Sequence, residues 1–376
     1  MNILVIARFQ DDGSSYVSFV QDQVLAYKTL GHNVCVVSPV VFLKHKSYEY
    51  KGIKDKIVDG VKVYYPRYLS FSNYGIYGLN SFSGYHITKS LFKKIIGDFK
   101  PDVIHAHTIG FEGKMGVKLK QKYHIPIVIT THGSDTIKPI KNGKASYITN
   151  VCKKADAVVA VSSRLGEVLQ NEDNSITPYI FCNGFKKLNL LIEKKKKNSI
   201  IQVSSLIKQK KVDITIRAFE KIKRDINDIT LTIVGDGPEK LYLLELCQQL
   251  NLSDSVLFTG QISNHEVLKL MSQNEYFIMP SVREGFGIVY LEAMASGCIT
   301  IGTKGEGIED VIIDKENGFL VEPDNIEEIA SYIKLCNENA DYSKAIVENA
   351  KKSVANLTWE ENAKKYINLF QKLLNT

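Results

Sequence analysis

Short apolar runs of strand length alternate with helical patterns twice along this chain, and that repeat restricts it to two doubly wound α/β units. In the first half the strand-like runs are Ile3–Ile6, Val34–Val37, Val61–Tyr65, Val103–His105, Ile127–Thr130 and Ala157–Val161. In the second half they are Ile200–Val203, Leu231–Val234, Val256–Phe258, Tyr276–Met279 and Ile299–Ile301. Most are continuously apolar, as expected for strands covered on both faces of a parallel sheet. With 376 residues and 44% hydrophobic content, each unit can bury a full core. The pattern predicts a first domain over 1–185, a linker over 186–198 holding the charged tract Glu193–Lys197, and a second domain over 199–357. A last amphipathic helix is expected over 358–376, with Thr358 and Glu361 at capping-box spacing.

Other classes are less consistent with the composition. Cys35, Cys152, Cys182, Cys247, Cys298 and Cys336 show neither Cys-x-x-Cys nor Cys/His ligand spacing, so no disulfide framework or zinc site is expected. Met1–Ala7 has no basic leader and only a short apolar run, and no window reaches the ~18 apolar residues of a membrane-spanning helix, so a cytoplasmic protein is expected. Charge is uneven. Residues 1–200 carry 29 Lys and Arg against 15 Asp and Glu, or +14, and the remainder carries 19 against 26, or −7, which sum to the net +7. Lys44, Lys46, Lys51, Lys54 and Lys56, with Lys89, Lys93 and Lys94, are candidates for docking on the anionic inner face of a membrane, although solvated helix faces explain such runs equally. No nucleic-acid recognition motif accompanies the charge, so nucleic acid is not an expected partner.

In open α/β sheets ligands bind beyond the carboxyl ends of the strands, and every candidate motif here follows a strand. The most informative is Ser281-Val-Arg-Glu-Gly-Phe-Gly-Ile-Val-Tyr-Leu-Glu-Ala-Met-Ala295. Pro280-Ser281 ends a buried strand, Gly285 and Gly287 allow close approach of a ligand to the backbone, and a helical pattern starts at Ile288. The amides of Gly287, Ile288 and Val289 are then unpaired donors at the positive end of a helix, suited to a diphosphate. Glu284 and Glu292 flank that helix start, and carboxylates accept hydrogen bonds from vicinal hydroxyls, Glu284 from a hexose and Glu292 from a ribose. Taken alone, the pair also reads as a helix-start glutamate and a solvated helix residue.

The Glu284-to-Glu292 spacing, continued through Ala293-Met-Ala-Ser-Gly297, resembles the E-x7-E motif of retaining glycosyltransferases of the two-domain class called family 4, or glycosyl transferases group 1. The resemblance spans nearly the whole chain. It implies the GT-B fold: two Rossmann-like doubly wound domains facing a central cleft, the last helix returning to the first domain with Trp359 as its anchor. It implies transfer of a hexose from a nucleoside diphosphate sugar, UDP-sugar favoured, to a glycan or lipid-linked acceptor in bacterial cell-surface polysaccharide synthesis. Glu284, His132 and Lys210 become the expected catalytic residues, and the run Gly285-Phe286-Gly287-Ile288-Val289 faces the donor. Asp11-Asp-Gly-Ser-Ser15 matches the family's first glycine loop at Gly13, placing Gly13 by the donor and Ser14 by the acceptor. Thr131-His-Gly-Ser-Asp135 matches H-G-x-D, with His132 against the hexose and Asp135 ordering the loop or lying near the acceptor. Leu257–Ile262 resembles the loop that meets the nucleobase through backbone groups, Ile262 included.

Three departures stand out. Where the family usually has Gly-Arg this chain has Ser204-Ser205, and where it has Gly the chain has Lys211, which leaves Lys210 as the expected diphosphate clamp, Ser205 as a neutral donor, and Lys208 or Lys211 as substitutes. Glu306 stands at the second glycine of the family's Gly-Gly-x-x-Glu. No Asp-x-Asp metal motif occurs, so neither metal nor cofactor is expected. His105 and His107 end a strand on one face and are read as structural or cleft-lining. Val234-Gly-Asp-Gly-Pro238 is read as a structural loop between strand and helix. A sugar-nucleotide epimerase, a phosphorylase and a non-catalytic subunit of the same fold remain alternatives.

Overall fold

The computed structural model describes residues 1–9, 18–41, 55–68, 77–186 and 195–375. The chain forms two compact units, one of Met1–Gly184 with Trp359–Thr376, the other of Phe185–Thr358.

The first unit is built on an eight-stranded sheet. Its order runs Tyr179–Ile180, Ala157–Ala160, Ile127–Thr131, Val103–His107, Asn2–Ile6, Asn33–Val37, Val61–Tyr64, Lys56–Val58. All neighbours are parallel except the last pair, an antiparallel hairpin closed by Asp59 (φ 48°) and Gly60 (φ 72°), the left-handed pair a two-residue turn requires. Leu4 sits opposite Cys35 on one side and Ile104 on the other, so the chain leaves the first strand in one direction and later returns to its other edge. That reversal marks the topological switch point, between Asn2–Ile6 and Val103–His107. The helix Trp359–Leu374 packs in this unit against the helix Ser18–Thr29. Trp359, Ala363, Tyr366 and Phe370 recur at helical spacing and are buried, and Gln23 Nε2 donates to Asn362 Oδ1 at 2.6 Å.

The second unit has a six-stranded parallel sheet in the order Val256–Gly260, Thr230–Val234, Lys196–Val203, Asn274–Ile278, Ile299–Thr303, Phe319–Val321. Ile200 lies opposite Leu231 and Tyr276, which puts the switch point between Lys196–Val203 and Asn274–Ile278. The central strand starts at Lys196, so the stretch read as linker ends in a strand rather than in loop, and its residues 187–194 lie outside the described ones. Each sheet carries its own apolar core, including Leu4, Ile6, Ile104 and Ile127 in the first and Ile200, Leu231, Tyr276 and Ile301 in the second. Among the described residues no helix is long and apolar enough to cross a membrane. Lys89, Lys93 and Lys94 are exposed on the helix Tyr77–Asp98, while Lys44, Lys46, Lys51 and Lys54 lie outside the described residues.

Candidate active site

At the switch point of the second unit, two loops leave neighbouring strands and are tied together by their backbones. The Val282 amide donates to the Gln209 carbonyl at 2.8 Å, and the buried Gln202 side chain donates to the Lys210 carbonyl at 3.0 Å. These bonds fix Lys210 beside Glu284, and its ammonium pairs directly with the Glu284 carboxylate, both side chains about one-fifth exposed. Lys211, at the position where a glycine is usual, keeps the left-handed conformation (φ 50°, ψ 42°) and pairs with Asp324 at 2.8 Å. The chain therefore retains the backbone geometry of a glycine at some cost in strain.

The helix Ile288–Ala295 starts at Gly287, whose φ of 85° and lack of Cβ are both required. A Cβ there would lie 2.6 Å from the Tyr290 ring. Tyr290, Leu291, Ala293 and Met294 anchor the helix in the core and leave its amino end and Glu292 at the surface. Phe286, expected to face the donor, is 2% exposed. Its side chain is buried, which leaves the backbone as the part of Phe286 that a donor could meet. Glu292 lies one turn along the helix and accepts from Asn264 Nδ2 at 3.3 Å, which brings it beside the loop that carries the half-buried Ile262. Ser205 is exposed. The Gly235 loop packs so closely on the Ser204 loop that a Cβ at Gly235 would lie 1.9 Å from the Ser204 carbonyl oxygen, a structural reason for glycine there.

Sequence reasoning noted Glu306 only as an acidic departure. In the structure its buried carboxylate accepts from the Arg283 amide at 2.8 Å and from the Glu284 amide at 2.7 Å. Only the unusual residue type signalled it. Among the described residues no group of three or more His, Cys, Asp or Glu is arranged to hold a metal ion.

The first unit's switch point is organised around histidines. Gly13 and Ser14 lie outside the described residues. His107 Nδ1 and His132 Nε2 are 3.0 Å apart with their rings nearly parallel, and Phe19 packs 4.6 Å from the His132 ring. His105 is tied to the Tyr27 hydroxyl at 3.2 Å and to Thr130 at 2.8 Å, and Thr130 bonds Tyr366 of the last helix at 2.9 Å. Burial keeps all three rings neutral: it pushes His132 down to about 4 and His105 to about 3, and holds His107 well below the usual value. Asp135 Oδ1 accepts from the amides of His132 and Gly133 at 3.0 and 3.1 Å and from the Thr131 hydroxyl at 3.1 Å, while Oδ2 accepts from the Ile109 amide at 2.8 Å. Three of these four bonds come from residues 131–133, so Asp135 orders the His132 loop. Thr108, just past the strand Val103–His107, is held at φ 82°, a left-handed conformation costing ~1–3 kcal/mol for a non-glycine residue.

The comparisons with known proteins match both units. The model for Glycosyltransferase Family 4 covers residues 17–182, and that for Glycosyl transferases group 1 covers residues 189–353. An uncharacterized glycosyltransferase of Methanocaldococcus jannaschii is 30% identical over 322 residues, 85% of this chain and 86% of that protein. The N-acetyl-alpha-D-glucosaminyl L-malate synthase of Bacillus anthracis is 30% identical over 268 residues, 67% of this chain and 70% of that protein. The crystal structure of Anabaena HepE in complex with UDP-glucose superposes with a TM-score of 0.75 at 18% identity, over 99% of this chain and 100% of that one. The chain belongs to the group 1, family 4 type of glycosyltransferases and has the GT-B fold.

Proposed function

We propose that this glycosyltransferase moves a hexose from a UDP-sugar to a hydroxyl of a glycan or lipid-linked acceptor, with retention of configuration at the anomeric carbon and without a metal ion. The observation that carries the reading is the position of Glu284: a carboxylate at a strand's carboxyl end, beside the Lys210 ammonium and ahead of the free amides of a helix start. In this reading the diphosphate lies against the amides of Gly287, Ile288 and Val289. Lys210 turns from Glu284 to the phosphate and stabilises the charge that develops as the bond from the anomeric carbon to phosphate oxygen breaks. Glu284, released from the ammonium, accepts from the hexose hydroxyls, and Glu292 accepts from the ribose hydroxyls. Ser205 and the backbone of Gly285 and Phe286 complete the donor side, and the backbone at Ile262 meets the base. His132, neutral at physiological pH, hydrogen-bonds a substrate hydroxyl. The acceptor oxygen attacks the face the phosphate leaves, and its proton passes to the departing phosphate oxygen, so no protein nucleophile is needed.

The UDP-glucose bound to the Anabaena neighbour supports a UDP donor. An alpha-linked product, named for the Bacillus anthracis relative, supports retention, since common UDP-hexose donors are alpha themselves. The basic first half, with Lys89, Lys93 and Lys94 exposed, supports an acceptor at an anionic membrane surface such as bacterial polysaccharide assembly provides. The test is UDP release from a panel of UDP-hexoses with lipid-linked and free glycan acceptors, with the anomeric configuration of the product read by proton NMR. An alpha product formed equally well in chelator supports the proposal. A beta product contradicts retention, and complete loss of activity in chelator contradicts metal independence. A free hexose epimer or a sugar phosphate as product would identify an epimerase or a phosphorylase instead.

A further inference from the structure

We propose that Glu306 is a positioning residue that sets Glu284 for recognition of the donor sugar, an inference that rests on the role given to Glu284 above. Glu306 follows the strand Ile299–Thr303 and is 6% exposed. Its two carboxylate oxygens take the consecutive amides of Arg283 and Glu284, one each, at 2.8 and 2.7 Å. Arg283 is in the left-handed conformation at φ 61°. Successive amides around such a residue converge into a concavity that binds an anion, and here the anion is a side chain of the protein itself. The neighbouring residue leaves no room for slack: a Cβ on Gly307 would lie 2.2 Å from the Gly285 carbonyl oxygen, so the turn at 305–308 is seated against the backbone of the Glu284 loop.

Glu284 is thus held twice, its carboxylate by Lys210 and its amide by Glu306. The first restraint exchanges for the diphosphate when a donor binds. The second does not, and it keeps the Glu284 side chain in place once Lys210 has turned away. Without the Glu306 carboxylate the amides of Arg283 and Glu284 lose the anion they converge on, and relaxation of the strained Arg283 rotates Glu284 off the sugar. The uracil and ribose contacts, on Glu292 and the Ile262 loop, do not pass through this clamp.

The decisive variant is Glu306→Gln, which keeps the shape but turns an NH2 group toward one of the two amides, so that only one hydrogen bond survives. The expected result is a fall of tenfold or more in kcat/KM with UDP-hexose, UDP affinity within twofold of wild type, and faster hydrogen exchange in 279–287 than elsewhere. In a Glu284→Ala background the same substitution should cost no further activity. Glu306→Asp, one methylene too short to bridge both amides, should give the same pattern and serves if the glutamine variant does not fold. Wild-type kcat/KM, losses that add to those of Glu284→Ala, or unchanged exchange at 279–287 would each overturn the proposal. A wild-type protein that binds no UDP-sugar, or full activity in Glu284→Ala alone, would instead overturn the function proposed above, and exchange at 279–287 would still decide whether the clamp exists.

Discussion

The two switch points handle polarity in opposite ways. In the second unit the groups are charged: Lys210 against Glu284 and Glu292 on its helix, all partly exposed, and the buried Glu306 against two amides. In the first unit the core of the switch point is three neutral rings, His105, His107 and His132, linked to one another, to Tyr27 and to Thr130. Both hold a residue in a left-handed conformation, Arg283 and Thr108, and both set carboxylates beside it, since the Thr108 hydroxyl donates to Glu112 and the Ile109 amide to Asp135, but the second adds an ammonium, Lys210, that a polyanionic ligand could draw away. The contrast suits the proposal above, in which the second unit takes the diphosphate together with the donor's hydroxyls and the first offers a neutral imidazole.

Substitutions that break this contrast should act unequally. The largest effect is expected for Glu284→Ala, which should lower kcat/KM by ~10³-fold or more while the protein stays folded, read by UDP release. Lys210→Ala should follow, with a loss of ~10²-fold concentrated in kcat, because the ammonium is needed most when the leaving phosphate carries its full charge. Glu292→Ala should weaken UDP binding by ~10-fold with little change in kcat, as measured by titration and steady-state rates, since ribose contacts are the same in ground and transition states.

The smallest effect belongs to the first unit and is one of stability. Above pH 6.5 the histidines are neutral whether folded or not and contribute no pH dependence. Below it the unfolded chain takes up protons that the native His132 refuses down to about 4 and His105 down to about 3, so stability is lost as pH falls through that window. The loss approaches ~1.4 kcal/mol per pH unit for each histidine. Urea midpoints between pH 7 and 5 should therefore decline less steeply in His105→Asn than in wild type, and an identical slope would contradict the buried-neutral assignment.

Much of this was legible in the sequence because parallel strands buried on both faces must be continuously apolar. All eleven runs named from that pattern are strands, ten of them within two residues at either end and the eleventh, Ile200–Val203, starting four residues earlier at Lys196. Among the strands missed, Lys56–Val58, Arg67–Tyr68 and Tyr179–Ile180 are two or three residues long with exposed positions and lack an apolar signature, although Asp59-Gly60 carries a hairpin signal, whereas Phe319–Val321 is apolar and buried but only three residues long. In the second unit the Glu284-to-Glu292 spacing and the glycines identified the loop and helix start, because a local turn sets their relation. The depth of Phe286, the pairing of Lys210 with Glu284 and the reach of Glu306 across 22 residues to the Glu284 amide depend on sheet order, which residue spacing does not encode. Nor did the period-two spacing of His105 and His107 reveal that His132 would stack on the second of them.

The most direct test of the central claim, that the second unit's switch point is a UDP-sugar site, is isothermal titration with UDP, GDP and ADP of wild type and Glu292→Ala. The account predicts tight binding of UDP over GDP and ADP, weakened by about an order of magnitude in the variant. Binding of no nucleotide by the wild type, or equal UDP affinity in both proteins, would contradict it.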